Sequence, residues 1–137
     1  MAYFFGEKER QIDSNNRLPV PKEWRAGLTD RGQNDVMLLA RSNRIEVYPY
    51  HLFFIMLQDE RRLSLEKQVA DRKSRLGRLI EQKKVDAKGR VQLPPKLLKT
   101  ANIPTGNVIV VGAIDHIEIW DPSLYQETEA ADTDGIL

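Results

Sequence analysis

The chain has 137 residues, of which 41% are hydrophobic and 30% charged, a composition typical of globular proteins and not of a disordered tail. The formal net charge is +1, and because there is no cysteine and there are only two histidines, we predict no disulfide, metal site or cofactor. The N-terminus lacks a basic leader and the most apolar run, residues 52–57, is too short to span a bilayer. We therefore expect a cytoplasmic protein.

The first predicted unit begins with a strand, a loop and a second strand. The strands are predicted at residues 8–12 and 17–20, and the loop between them begins with Asp13 and ends at Arg17. Pro21 then suits the first turn of a helix, because the N–H group that proline lacks would be unpaired there.

Two β-rich runs follow this helix, at residues 36–40 and 44–48, with a hairpin-sized connection between them. In the second run Ile45 and Val47 alternate with Glu46, which predicts apolar side chains facing inward and an acid facing outward. The first part of the chain is thus predicted to form a β-loop-β-α-β-β unit.

A helical linker is predicted next. Residues 52–57 are so apolar that we interpret them as core, with a subunit interface as the alternative. Over residues 61–80, apolar and basic residues alternate at helical spacing, which predicts a basic amphipathic helix. Its apolar positions are Leu65, Val69, Leu76, Leu79 and Ile80. We interpret the basic face as solvated, and contact with phosphates as the less favoured alternative.

Charge is distributed unevenly along the chain. Residues 1–60 hold 8 basic and 9 acidic side chains, residues 61–99 hold 13 and 4, and residues 100–137 hold 0 and 7. Because clustered cations attract polyanions, the basic block predicts a polyanionic partner such as nucleic acid.

The loop segment then recurs. Residues 84–94 repeat residues 11–21 at a distance of 73 positions, with the aspartate, the arginine and the final proline in register. Further strands are predicted at residues 82–85, 90–93, 108–112 and 117–120. Glu118 lies in the last of them as Glu46 does in the first copy, again with an outward orientation predicted. The chain is therefore a tandem duplication, and this decides the fold class before any single motif does.

These repeats predict an α+β protein of two tandem units joined by a helical linker. The predicted domains are a first repeat at residues 7–52, the linker at 53–80, a second repeat at 81–125 and an acidic tail without regular structure at 126–137.

Each loop has the form D-x-x-x-R, which suits a rigid mount for a guanidinium group. Asp86 can accept hydrogen bonds from backbone N–H groups, Gly89 can adopt the left-handed conformation, and Arg90 then leaves the turn. In the first copy Asn16 replaces the glycine, and asparagine tolerates positive φ better than most residues. The planar arginine fork can bind guanine or phosphate. The structural alternative is an ion pair that stabilises only the turn, worth less than about 1 kcal/mol at a surface.

Three segments carry a family resemblance. Residues 4–25 read FFGEKERQIDSNNRLPVPKEWR, residues 84–98 read KVDAKGRVQLPPKLL and residues 107–122 read NVIVVGAIDHIEIWDP. Together they resemble the MraZ family of bacterial transcriptional regulators over residues 4–125. The resemblance implies the tandem form of the AbrB-like (SpoVT-AbrB) fold, a swapped-hairpin barrel with pseudo-two-fold symmetry.

The resemblance also implies a nucleoid-associated, sequence-specific DNA-binding repressor of its own division and cell-wall operon. In the family, subunits form homo-oligomeric rings that bind short direct repeats in promoter DNA through the loop arginines. The corresponding DNA-binding candidates, with their polar and basic neighbours, are Arg17, Arg90, Lys88, Asn15, Asn16 and Lys84. The residues expected to structure the loops are Asp13, Asp86 and Gly89. Since Asn15 and Asn16 replace the usual lysine and glycine, the first loop has one cation fewer.

Other functions are weighed against this one. No glycine-rich phosphate loop and no base beside a nucleophile is recognisable, so an enzyme is not expected. His51 and His116 have no partners at ligand spacing, and Trp24 and Trp120 are predicted core residues. The alternative function is an AbrB-like interaction module, similar to an antitoxin, with only weak non-specific DNA binding. Tandem duplication argues against it, because antitoxins of this fold are commonly single-copy dimers.

Overall fold

The computed structural model describes residues 3–29, 32–59, 67–104 and 106–131. The first repeat comprises β1 (Glu7–Gln11), β2 (Arg17–Pro19), α1 (Lys22–Leu28), β3 (Asp35–Ala40) and β4 (Ile45–Pro49). The linker contains α2 (Tyr50–Asp59) and α3 (Lys67–Arg78). The second repeat comprises β5 (Ile80–Lys84), β6 (Arg90–Gln92), α4 (Pro95–Thr100), β7 (Asn107–Gly112) and β8 (Ile117–Trp120), and α5 (Pro122–Ala131) follows it. The predicted α+β class with two tandem β-loop-β-α-β-β units is confirmed.

Each repeat gives its first strand to the other repeat. The main antiparallel sheet has the order β1-β7-β8-β4-β3-β5, so β1 pairs with β7 of the second repeat and β5 pairs with β3 of the first. The short strands β2 and β6 form a separate two-stranded sheet. No pairing joins β1 to β5 in the part of the chain that the structure describes. The closure of this sheet into a swapped-hairpin barrel stays a prediction.

The main core is built by both repeats together. Leu18 and Val91, opposite each other in the β2–β6 pair, are buried in one cluster with Trp24 of α1 and Leu97 of α4. Trp24 and Trp120 each expose only 5% of their surface, so the prediction that both belong to the core is confirmed. Since the cluster draws on both repeats, neither has a separate core, and the two fold as one unit.

The apolar stretch at residues 52–57 divides between core and surface. Phe53 is 1% exposed and packs with Met37 and Tyr48 in a second buried cluster. Its neighbours Phe54 and Ile55 are 41% and 51% exposed. The core interpretation is therefore confirmed for one face of α2 and wrong for the other.

The predicted amphipathic linker helix is correct in part. Leu76 of α3 and Leu79, which follows the helix, pack against the second buried cluster. Ile80 is the first residue of β5 and not the last residue of a helix, because β5 pairs with β3 from this position onward. Leu65 and the side chain of Val69 lie outside the described residues.

Within the described ranges, no helix is both long and apolar enough to span a membrane.

The predicted unstructured tail at residues 126–137 is wrong in its first part, because α5 is helical as far as Ala131. Asp121 caps this helix by accepting hydrogen bonds from two backbone N–H groups of the first turn, at 3.1 and 3.2 Å. Tyr125 anchors it, since its ring packs edge-on against Trp120 at 5.6 Å between centroids. The remaining tail positions lie outside the described residues.

The equivalent acids of the two repeats meet at the junction of β4 and β8. Glu46 and Glu118 lie directly opposite each other and alternate with residues of the main core as predicted, but their side chains are only 3% and 15% exposed. The prediction that they face outward into solvent is therefore wrong. Like charges opposite each other in a sheet are destabilising. Arg44 offsets this repulsion, because its Nη2 lies 2.8 Å from Glu46 and its Nε lies 3.2 Å from Glu118.

His116 takes in the second repeat the place that Arg44 takes in the first. Its Nε2 atom lies 2.9 Å from a Glu118 oxygen and 4.0 Å from a Glu46 oxygen, and its Nδ1 atom lies 2.6 Å from Asp115. The two glutamates and the histidine could hold a metal by distance, with ligand atoms within 4.8 Å of one another. Arginine already engages both carboxylates, so we interpret the group as a closed ionic cluster.

Aromatic rings of the opposite repeat cover two cations of this cluster, Arg44 and His116. Tyr48 of the first repeat stacks on His116 at 4.5 Å between centroids, and Trp120 of the second lies 5.5 Å from the Arg44 guanidinium carbon. Each of these aromatic residues also donates a hydrogen bond to the glutamate of its own repeat, at 3.3 and 3.0 Å. The cluster thus links the repeats by charge and by packing.

The environment raises the pKa of His116. Burial favours the neutral ring, but hydrogen bonds to Glu118 and Asp115 outweigh burial, and the charge of Glu46 acts in the same direction. Arg44 bonds both glutamates, and Arg41 bonds Glu46 at 3.3 Å. Because the raised pKa belongs to a side chain that titrates, the charge balance of the cluster depends on pH.

We expect His116 to make the stability of the fold depend on pH. Because its folded-state pKa lies above the unfolded value of 6.5, the ionised ring contributes stability that is fully present below about pH 6.5. This contribution is lost as the pH rises through the folded-state pKa. Urea unfolding of the wild type and of His116→Gln between about pH 5.5 and 8.5 measures it. The difference in the free energy of unfolding should shrink as the pH rises, and a constant difference would contradict the assignment.

Candidate nucleic-acid interface

The first loop, between β1 and β2, is closed by the side chain of Asp13. Its Oδ1 atom accepts hydrogen bonds from the backbone N–H groups of Asn15 and Arg17, each at 2.9 Å. Its Oδ2 atom accepts a hydrogen bond from Arg17 Nε at 2.8 Å. One carboxylate therefore fixes both the turn and the base of the arginine side chain.

The second loop, between β5 and β6, repeats this arrangement. Asp86 Oδ1 accepts hydrogen bonds from the backbone N–H groups of Lys88 and Arg90, each at 2.9 Å, and Asp86 Oδ2 accepts one from Arg90 Nε at 2.9 Å. Hydrogen bonds from the backbone N–H groups of Arg90 and Arg17 lower the pKa of Asp86 and of Asp13 respectively. Both carboxylates are therefore ionised at neutral pH.

One residue in each loop adopts the left-handed backbone conformation. Asn16 has a φ of 60° and Gly89 a φ of 78°, and each donates its backbone N–H to the carbonyl of the loop aspartate. Asparagine is one of the few side chains that adopt this region readily. The substitution of asparagine for glycine in the first repeat therefore leaves the turn unchanged.

The β2–β6 pair holds the two loops side by side. Arg17 lies opposite Gln92, and Pro19 lies opposite Arg90. Backbone hydrogen bonds extend the pairing at both ends. The N–H group of Val20 donates to the carbonyl of Gly89 at 2.9 Å, and the N–H group of Leu93 donates to the carbonyl of Asn16 at 2.7 Å. The side chains of Arg17 and Arg90 are 33% and 25% exposed. The two guanidinium groups thus stand on one rigid unit.

The other predicted DNA-binding residues lie either on the two loops or on the strand before the second loop. Lys88 and Asn15 are exposed on the loops themselves, and Gln92 donates a hydrogen bond to the carbonyl of Asn15 at 3.4 Å. Lys84 lies in β5, and its ammonium group pairs with Asp35 of β3 at 3.1 Å. The charge of Lys84 is therefore partly compensated within the protein.

Arg25 of α1 is a cation at this surface that the sequence analysis did not single out. Its Nε donates a hydrogen bond to the carbonyl of Val20 at 2.9 Å, and its guanidinium group covers Gly89. Nothing in the local sequence marks it, because the contact joins a helix of one repeat to the loop of the other.

Comparison with known proteins identifies the family. A family profile described as "MraZ protein, putative antitoxin-like" matches residues 3–76 and 81–134 of the chain. The chain belongs to the MraZ family. The resemblance inferred from the loops is therefore confirmed.

Curated relatives agree with this MraZ assignment. A protein of Clostridium tetani named "Transcriptional regulator MraZ" is 28% identical over 134 residues, covering 96% of this chain and 90% of the relative. Proteins of the same name from Natranaerobius thermophilus and Desulforamulus reducens are each 32% identical, over 118 and 120 residues. Each of these two alignments covers 85% of this chain and 80% of the relative.

Gly89→Ala is expected to destabilise this MraZ-family chain by about 1–3 kcal/mol. Alanine is strained at a φ of 78°, and its Cβ would lie 2.3 Å from Arg25 Nε. The matched control is Gly77→Ala in α3, where a Cβ would meet no described atom within 4 Å outside the backbone of the helix itself. The control should be neutral or more stable by up to about 1 kcal/mol, because alanine favours helices. Chemical denaturation measures both changes, and equal stabilities would show that the loop does not need a glycine.

Proposed function

We propose that the protein is a DNA-binding transcriptional regulator that contacts promoter DNA through its two D-x-x-x-R loops. The β2–β6 pairing carries this proposal, because it joins two loops that each present an arginine held by an aspartate. Such a rigid pair of guanidinium groups is suited to reading a duplex. The relatives named transcriptional regulators, none of them named as an enzyme, support the same conclusion.

The chemistry of the loops supports DNA as the ligand. Each aspartate engages the Nε of its arginine, and the Nη nitrogens of Arg17 and Arg90 have no hydrogen-bond partner among the residues that the structure describes. A guanidinium held in this way can present both Nη groups to guanine O6 and N7 or to a phosphate. Lys88, Asn15 and Asn16 can add contacts to phosphates or base edges.

The second loop has the more basic surroundings. Lysines lie before, within and after the turn in the sequence of the second repeat. They are Lys83, Lys88, Lys96 and Lys99. We therefore propose that the second repeat contributes more of the non-specific attraction to DNA, and that Lys84 contributes less because Asp35 pairs with it.

One pair of loops offers too few contacts for tight binding, so we propose a homo-oligomeric ring acting on short direct repeats. Linked weak contacts gain affinity through effective concentration when the spacing of the DNA repeats matches that of the loops. Exposed apolar side chains on α2, Phe54 and Ile55, suit a contact between subunits. In this proposal the strand exchange closes into an AbrB-like barrel, and the nucleoid-associated protein represses its own division and cell-wall operon.

Fluorescence anisotropy tests the proposed function. Labelled DNA from upstream of the protein's own gene is titrated with and without the short direct repeats, at several salt concentrations. We expect tighter binding to the DNA with repeats, and an affinity that falls steeply with salt because neutralised phosphates release counterions. Equal affinity for both DNAs would reduce the activity to non-specific binding. If such a result came with capture of one specific protein partner, the antitoxin-like interaction module would be favoured.

Arg17→Ala and Arg90→Ala are each expected to weaken specific binding by about 1–3 kcal/mol per engaged contact, with a salt slope reduced by about 1 where the arginine neutralises a phosphate. The fold should persist, since both side chains are partly exposed. Arg72→Ala, on α3 and outside the loop pair, removes the same charge as a control. Anisotropy titrations with circular dichroism measure both effects. Wild-type curves for both loop variants would contradict the assignment.

A further inference from the structure

Arg25 links the first repeat to the loop of the second. It lies in α1, and its Nε donates a hydrogen bond to the carbonyl of Val20 at 2.9 Å. A Cβ atom built on Gly89 would lie 2.3 Å from Arg25 Nε and 2.5 Å from Arg25 Cζ. The guanidinium group therefore fills the space that a side chain at position 89 would occupy. The absence of a side chain there is what lets the arginine reach the loop.

Gly89 is held by a backbone hydrogen bond and by the side chain of Arg25. Its carbonyl accepts a hydrogen bond from the backbone N–H of Val20 at 2.9 Å, and Arg25 bonds the carbonyl of the same valine while covering the glycine. Val20, Arg25 and Gly89 thus form a closed bridge between the repeats. The next residue in the chain is Arg90, so the bridge fixes the backbone from which Arg90 extends.

The first loop does not have this bridge in the same form. The repeat offset of 73 positions relates Arg25 to Leu98 and Gly89 to Asn16. The backbone hydrogen bond of the bridge is present at both loops. The N–H of Leu93 donates to the carbonyl of Asn16 at 2.7 Å, just as the N–H of Val20 donates to the carbonyl of Gly89. A leucine cannot donate a hydrogen bond, and Leu98 is buried with 4% exposure. Among the residues that the structure describes, an arginine therefore covers only the second loop in this way.

We propose that Arg25 is a positioning residue for Arg90, which makes the second loop the preformed half of the DNA-binding pair. Arg25 acts through the backbone of Gly89 and does not contact DNA itself. This inference rests on the proposed function, since it assigns a role to Arg25 within the same surface. It predicts that removing Arg25 affects the contribution of Arg90 and leaves that of Arg17 unchanged.

A double-mutant cycle tests the coupling. Arg25→Leu introduces the residue that the second repeat has at this position, and it is combined with Arg90→Ala and, separately, with Arg17→Ala. Affinity for DNA from upstream of the gene is measured by anisotropy. Arg25→Leu alone should weaken binding by no more than Arg90→Ala does. In combination with Arg90→Ala it should weaken binding little further. In combination with Arg17→Ala it should weaken binding by the same factor as it does alone. Full additivity with Arg90→Ala would overturn the proposal.

Two further variants separate positioning from charge. Arg25→Lys keeps the charge but lacks the planar fork that covers Gly89, so it should bind DNA as weakly as Arg25→Leu. A direct phosphate contact would instead leave Arg25→Lys close to the wild type, and that result would overturn the proposal. Lys22→Leu removes an exposed cation from the same helix as a matched control and should retain nearly wild-type affinity.

Amide hydrogen exchange provides a readout that does not involve DNA. In Arg25→Leu, the backbone N–H groups of Gly89 and Arg90 should exchange faster than in the wild type, while those of Asn16 and Arg17 should be unchanged. Unchanged protection of β3 and β7 would show that the fold persists. Equal exchange in both loops would overturn the proposal even if DNA binding is intact. The two proposals can also fail separately. If the protein showed no preference for its promoter, the proposed function would be refuted, but faster exchange in the second loop of Arg25→Leu would still support the role of Arg25 in holding that loop.

Discussion

The exchange of first strands between the repeats is the constraint on which the other features of the structure depend. Because β1 pairs with β7 and β5 pairs with β3, each loop is entered from a strand of one repeat that lies in the sheet of the other. The same exchange brings β2 and β6 together, and with them the two loops. A single repeat would leave its first strand unpaired and half of the apolar cluster uncovered. The fold therefore requires two repeats, and in this chain the duplication supplies both.

The exchange also explains why charged side chains are buried at the junction of the repeats. Equivalent positions meet where β4 pairs antiparallel with β8, and this register places Glu46 opposite Glu118. Two carboxylates at such a position require cations, and the repeats supply different ones, Arg44 and His116. Breaking such a pair by removing one partner is costly, because a buried charge is left uncompensated. The junction thus depends on two arginines, Arg41 and Arg44, and on a histidine whose charge varies with pH.

Features that are local in sequence could be predicted, and those that arise from contacts between the repeats could not. The order of strands and helices follows from apolar alternation and from the duplicated loops, and the family was identifiable from the same residues. Alternation failed to predict the burial of Glu46, because period-2 spacing assigns it to an outer face without indicating which side chains cover that face. Arg41, Arg44 and Tyr48 contact its carboxylate. The contact of Arg25 with Gly89 was hidden for the same reason. The helical start of the tail escaped because α5 is held by a cap and by packing on Trp120 and not by apolar periodicity.

The two loops differ in a way that follows from this exchange. Helix α1 of the first repeat lies against the loop of the second, so position 25 constrains position 89. By the repeat offset, position 98 corresponds to position 25, and position 16 corresponds to position 89. Beneath an arginine only glycine fits, whereas the loop related to Leu98 tolerates an asparagine that meets the same φ requirement. The residues of the loops are therefore constrained in pairs across the repeats. A duplicated surface of this kind can acquire two loops that are held differently without any change in the fold.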